Sequence, residues 1–132
     1  MKEYSVSWTV GAGANCRGGK KRNAKWDDIE QVLKEIREQS GAVAINVMNG
    51  PDIGPQTLQV QTENGRSILT LGENTTEDYN VRSFSDPDVD ANMLEIFGYL
   101  WDSRQICFNF ELVIKTFKEF FETGNVSRQL LS

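Results

Sequence analysis

Six acidic residues, Glu73, Glu77, Asp78, Asp86, Asp88 and Asp90, crowd into eighteen positions that contain a single cation, Arg82. Carboxylates at that density can hold a divalent cation, act as general acid and base, or complement a basic partner. Asp86, Asp88 and Asp90 alternate like the opening of a calcium loop. The sixth position, however, is Ala91, where the sharp turn needs glycine, and the twelfth is Phe97, where a bidentate glutamate is required, so that loop is excluded. Nothing in the spacing specifies a magnesium site for phosphodiester chemistry. The chain has no histidine, which removes the commonest general base, metal ligand and partner of a nucleophilic Ser or Cys. A zinc-deaminase pattern and a Walker-type loop are missing as well. Gly11-Ala12-Gly13-Ala14-Asn15-Cys16 follows a strand as a dinucleotide loop would, yet it lacks the third glycine and opens no helix. The expectation is a protein that is not an enzyme and holds no metal or cofactor. The acids are then either a solvated loop or the charged part of an interface for a basic protein, with Tyr79 and Trp101 as candidate aromatic anchors.

The opposite charge gathers elsewhere. Arg17, Lys20, Lys21, Arg22 and Lys25 place five cations within nine residues, which could grip phosphates with a steep dependence on salt. Only Trp26, at the edge, offers a base-stacking ring there. Residues 1–25 carry a net +5 and the remainder −10, giving the chain its −5. An acidic body attracts basic partners and repels nucleic acid from most of its surface.

The elements that must position these groups are legible from periodicity. Tyr4, Val6, Trp8 and Val10 alternate with polar residues as a half-buried strand does. Gly11 to Asn23 has no period and reads as a mobile loop. Trp26, Ile29, Val32, Leu33 and Ile36 recur at helical spacing, with Asp27 and Asp28 in the first turn and Gly41 beyond the end. Ala42 to Met48 is strand-like, and Thr57 to Thr62 and Arg66 to Leu71 flank a hairpin signal at Asn64-Gly65. Tyr79 to Phe84 is a further strand. Leu94 to Trp101 reads as one covered strand, with Phe97, Tyr99 and Trp101 on one face and Leu94, Ile96 and Leu100 on the other. Ile106 to Phe110 reads as another strand. Val113, Ile114, Phe117, Phe120 and Phe121 form a second helix stopped at Gly124, before an irregular tail from Asn125. The order predicts an α+β fold, a mostly antiparallel sheet with two packed helices, in one domain over residues 1–132.

Two cysteines, Cys16 and Cys107, are too few and too unlike in setting to frame the fold. No apolar run approaches the roughly 20 residues a bilayer demands. Met1-Lys2-Glu3-Tyr4 leads straight into strand alternation rather than a signal peptide, which sets a cytoplasmic expectation with no membrane partner.

Several phrases, taken in order, resemble the first-numbered immunity-protein family of bacterial polymorphic toxin systems. They are Tyr4-Ser5-Val6-Ser7-Trp8, the early helix after a variable loop, Ser67-Ile68-Leu69-Thr70-Leu71-Gly72, the Ser85-Asp86-Pro87 turn, the aromatic segment around Phe97-Gly98-Tyr99, and the closing Glu119-Phe120-Phe121-Glu122-Thr123-Gly124. The resemblance implies stoichiometric binding of a cognate toxin C-terminal domain, a nuclease or deaminase, whose active site or substrate groove is blocked. Charge then selects Glu73, Glu77, Asp78, Asp86, Asp88, Asp90 and Asp102 as toxin-binding residues, with Trp101 for packing. The rival expectation is a single-stranded nucleic-acid binder that uses the basic loop 17–25 and the aromatic strand 94–101.

Overall fold

The computed structural model describes residues 3–11, 16–50, 52–86, 88 and 90–131. In chain order the elements are β1 (Tyr4–Val10), β2 (Arg17–Lys21), α1 (Trp26–Gln39), β3 (Gly41–Val47), β4 (Gly54–Glu63), β5 (Arg66–Asn74), β6 (Tyr79–Ser83), β7 (Met93–Ile96), β8 (Tyr99–Asp102), β9 (Ile106–Cys107) and α2 (Phe110–Thr123). The fold is α+β, with an antiparallel sheet ordered β2-β1-β3-β4-β5-β6. β9 pairs with the start of β5 at Ser67↔Cys107 and Ile68↔Ile106, while β6 pairs with its second half. β7 and β8 form a separate two-stranded hairpin.

Period-two alternation decides which side of the sheet is dry. In register, Val6, Ile45, Leu58 and Leu71 share one face. They are buried with Ile29, Leu33 and Ile36 of α1 and Val113, Phe117 and Phe120 of α2. Asp28 accepts the Lys25 backbone N–H at 2.9 Å and completes the orphan donors at the start of α1. Tyr4 joins α2 to the sheet: its hydroxyl donates to the Phe120 carbonyl at 3.0 Å and its ring lies 5.2 Å from Phe121. The opposite face carries small or uncharged polar residues, Ser7, Thr9, Ala42, Ala44, Gln59 and Gln61, across β1, β3 and β4.

Three expectations need correction. Gly11 to Asn23 is not a mobile loop throughout, because β2 pairs with the open edge of β1 from Val10↔Arg17 to Val6↔Lys21. Gly19 permits this, since a side chain there would run into the Trp8 ring, and the charges of β2 suit an outer edge. Residues 12–15 of that segment, and with them most of the dinucleotide-like phrase, lie outside the described residues. Leu94 to Trp101 is not one strand: Phe97 at φ 49 and Gly98 at φ 82 make a two-residue turn that folds it into β7 and β8. The segment from Ile106 pairs only to Cys107, because the Asn109 side chain accepts the Glu111 N–H at 3.1 Å and starts α2 at Phe110. The tail is irregular as expected but packed, with Val126 and Leu131 buried in the main core.

The hairpin Asn64-Gly65, at φ 52 and 78, and the stop at Gly124, at φ 80, follow the sequence reading. Gly41 lies just beyond the first helix as the sequence places it, and there it opens β3 at φ 145, where a Cβ would meet the Thr9 carbonyl oxygen. Gly41→Ala is therefore expected to destabilise the protein by about 2–3 kcal/mol. Urea unfolding measures this, and a change below about 0.5 kcal/mol would mean that the β1–β3 backbone gives way freely.

Candidate functional site

The β7–β8 hairpin leans back over the polar face of the sheet. Its register, Leu94↔Trp101 and Ile96↔Tyr99, turns one face inward and leaves Met93, Glu95, Leu100 and Asp102 on the other. Leu94, Ile96, Phe97 and Trp101 close over Ile68 and Ile106 as a second small core. Backbone and side-chain bonds fix the hairpin's base. Ser103 N–H donates to the Asn92 carbonyl at 2.8 Å, the Ser103 hydroxyl donates to the Asp90 carbonyl and accepts Asn92 N–H, and Asp86 N–H donates to the Arg104 carbonyl at 2.7 Å.

Beside this core lies a cavity of about 630 Å³, floored by Thr9, Ala42 and Gln61, walled by Phe97, Tyr99 and Trp101, and bordered by Gly11, Gly41 and Cys16. The size falls within the roughly 300–1,000 Å³ typical of ligand pockets. Phe97 occupies a backbone region that a bulky side chain adopts at a cost of about 1–3 kcal/mol, and strain of this kind gathers at binding sites. Glu63 holds it there, its carboxylate accepting Phe97 N–H at 3.4 Å. The Trp101 indole N–H is buried and has no hydrogen-bond partner, a state that normally leaves a donor short of about 1–3 kcal/mol.

The acids selected by charge do not assemble as one patch. Glu73 is mostly buried on the helix side, where it pairs with Arg82 at 3.6 Å and Arg128 at 3.9 Å. Glu77 and Asp78 are exposed in the turn before β6, with Asp78 accepting Tyr79 N–H at 2.8 Å. Asp86, Asp88, Asp90 and Asp102 lie beyond the other end of β6, roughly 17 Å of strand away. Asp86 accepts Asp88 N–H at 3.0 Å, while Pro87 and Val89 of this loop lie outside the described residues. Asp102 sits on the outer face of the hairpin and Trp101 on its inner face, as a cavity wall rather than a free anchor. Sequence reasoning missed Met93, Tyr99 and Leu100 as exposed groups and Gln61 and Thr9 as a floor. Phe97-Gly98 between alternating apolar residues was the available signal for the hairpin.

Arg104 grips Asp102 through both carboxylate oxygens, at 2.6 Å for the shortest contact. These side-chain bonds, with the Arg104 backbone N–H, hold the Asp102 carboxyl at about 2. The pair's contribution to stability is thus complete above the unfolded aspartate value and disappears as the pH falls through about 2. Carboxyl NMR is expected to find that midpoint, and Arg104→Ala to return it towards about 3.9; an unchanged midpoint in the variant would assign the shift to another cause.

The basic strand is partly spent. Arg17 pairs with Glu35 at 3.2 Å and Lys21 with Asp28 at 2.9 Å, both towards α1. Cys16 and Cys107 are free thiols, one exposed and one buried, and burial raises the Cys107 thiol's pKa. Among the described residues no group of three or more His, Cys, Asp or Glu is placed to hold a metal ion. No helix among them is long and apolar enough to cross a membrane.

The fold is similar to that of a crystal structure of a hypothetical protein from Neisseria gonorrhoeae, with a TM-score of 0.76 at 15% identity, over 95% of this chain and 91% of that one. No curated protein matches the chain. Residues 7–130 match the model of a family described as a family of unknown function, DUF6911.

Proposed function

The chain belongs to that family, and from this premise we propose that it is an immunity protein, a cytoplasmic inhibitor that binds and neutralises the basic C-terminal domain of a cognate polymorphic toxin. One observation carries the reading. The outer face of the hairpin presents Leu100 and Met93 to solvent, 66% and 55% exposed, in register with the acids Glu95 and Asp102, while Tyr99, 72% exposed, stands on the other face at the rim of the cavity. An apolar centre with a charged rim is the anatomy of a protein-binding surface, and its negative rim favours encounter with a basic domain. The order of phrases that resembles the immunity-protein family points the same way. Binding of this kind needs no catalytic group from the inhibitor, only a surface that covers the toxin's site.

The test is affinity capture of the tagged protein from its source cells, followed by assay of the captured partner. The reading expects one stoichiometric protein with a small basic C-terminal domain that is toxic when expressed alone and harmless when this chain is co-expressed. Capture of no such domain, or toxicity unchanged by co-expression, would overturn it.

A second reading is favoured by one juxtaposition: Cys16, next to the basic strand, borders the same cavity as Phe97, Tyr99 and Trp101. Lys20 in that strand and Arg22 just after it are exposed, so a single strand that tracked the cations could reach the rings beyond Cys16. This reading requires salt-labile binding of single-stranded oligonucleotides that disappears when Lys20, Lys21 and Arg22 are all changed to Ala.

A further inference from the structure

We propose that the cavity under the hairpin is an arginine socket, which takes one arginine residue from the basic partner and stacks its guanidinium on the rings of Phe97, Tyr99 and Trp101. The identity of the partner rests on the immunity reading; the chemistry of the socket does not. Three rings line one cavity, and a guanidinium near an aromatic face gains from the ring quadrupole and from its own weak hydration. Its plane also suits a slot between rings better than a compact ammonium does.

The polar groups fit the same occupant. Gln61 and Thr9 on the floor supply acceptors for guanidinium N–H groups. Glu63 supplies a carboxylate beside Phe97, whose N–H it accepts at 3.4 Å, and Arg66 pairs with it only at 3.9 Å. Arg17, next to Cys16 in the chain, is committed to Glu35 at 3.2 Å. A neutral aromatic ligand would use the rings but leave the carboxylate without a role. Phe97 lies in the two-residue turn of the hairpin and lines the cavity with Tyr99 and Trp101.

The full chain, isotope-labelled, is titrated with a blocked tripeptide carrying arginine between two glycines, and with the same peptide carrying citrulline, which keeps the shape and removes the charge. The three indole N–H signals are followed, with Trp101 assigned by Trp101→Phe. The arginine peptide is expected to give a saturable shift of the Trp101 signal while those of Trp8 and Trp26 stay in place. Citrulline, and arginine added to Tyr99→Ala, are each expected to bind about tenfold more weakly. Tyr99 is exposed, so its variant keeps a native spectrum. No saturable Trp101 shift up to about 10 mM peptide, or equal binding of citrulline, would overturn the proposal. Because the probe is a peptide, a failed toxin capture with a working titration sinks the partner and keeps the socket, and the reverse sinks the socket alone.

Discussion

Arg82→Ala is expected to destabilise the protein by about 3–5 kcal/mol and to release its C-terminal tail. Arg82 is 4% exposed and sits on the helix face of the sheet in register with Leu71. Its guanidinium donates to the Leu131 carbonyl at 2.9 and 3.2 Å, to the Val126 carbonyl at 2.5 Å and to the Asn125 side chain at 3.0 Å, and it pairs with Glu73 at 3.6 Å. A rigid fork of donors therefore ties residues 125–131 to the sheet edge. Alanine would leave two carbonyls and the mostly buried Glu73 carboxylate without it, and Arg128, at 3.9 Å, would be a poor substitute. Urea unfolding measures the loss. Hydrogen exchange locates it, because the Leu130 and Leu131 amides bonded to Ser127 should lose protection before those inside α2. Arg82→Lys keeps the charge but not the fork and should fall between the two. A loss below about 1 kcal/mol for the alanine variant would show that the tail is held by Val126 and Leu131 packing alone.

The second large effect is on binding. Tyr99→Ala combined with Leu100→Asp is expected to weaken the complex with the proposed toxin partner at least about 100-fold, because exposed aromatic and aliphatic anchors at the centre of an interface each contribute about 2 kcal/mol or more. Both residues are exposed, so unfolding stability should change by no more than about 0.5 kcal/mol. Charge reversal at Asp86, Asp88 and Asp90 should instead slow association and flatten its salt dependence, since rim charges act mainly on encounter. Calorimetry for the first and stopped-flow mixing for the second separate the two roles. A double variant that binds as tightly as the parent would remove the hairpin from the interface and with it the observation on which the functional reading stands.

Among the acids chosen by charge, Glu73 is the instructive one. Sequence proximity placed it with Glu77 and Asp78, and its neighbour Arg82 looked like a stray cation in an acidic run. Strand pairing reverses that picture: Glu73 and Arg82 meet on the helix side of the sheet and serve the tail rather than a partner. Asp102 stays on the surface but is neutralised by Arg104, so Asp88, Asp90 and Glu95 are the hairpin acids with the freest charge.

By itself, the sequence determined the α+β class, both helices, the strands β1 and β3 to β6, the Asn64-Gly65 turn and the stop at Gly124. Those features depend on local periodicity and backbone preference, which are carried by adjacent residues. The tertiary structure alone decided that residues 17–21 add an edge strand, that the segment around Phe97-Gly98 folds back as a hairpin over Ile68, and that Thr9, Ala42 and Gln61 become the floor beneath three rings. Each of these depends on which strands become neighbours and on which face they share. Thr9 meets Ala42 and Ala42 meets Gln61 there through sheet register, a long-range property that no local pattern of types and spacings encodes.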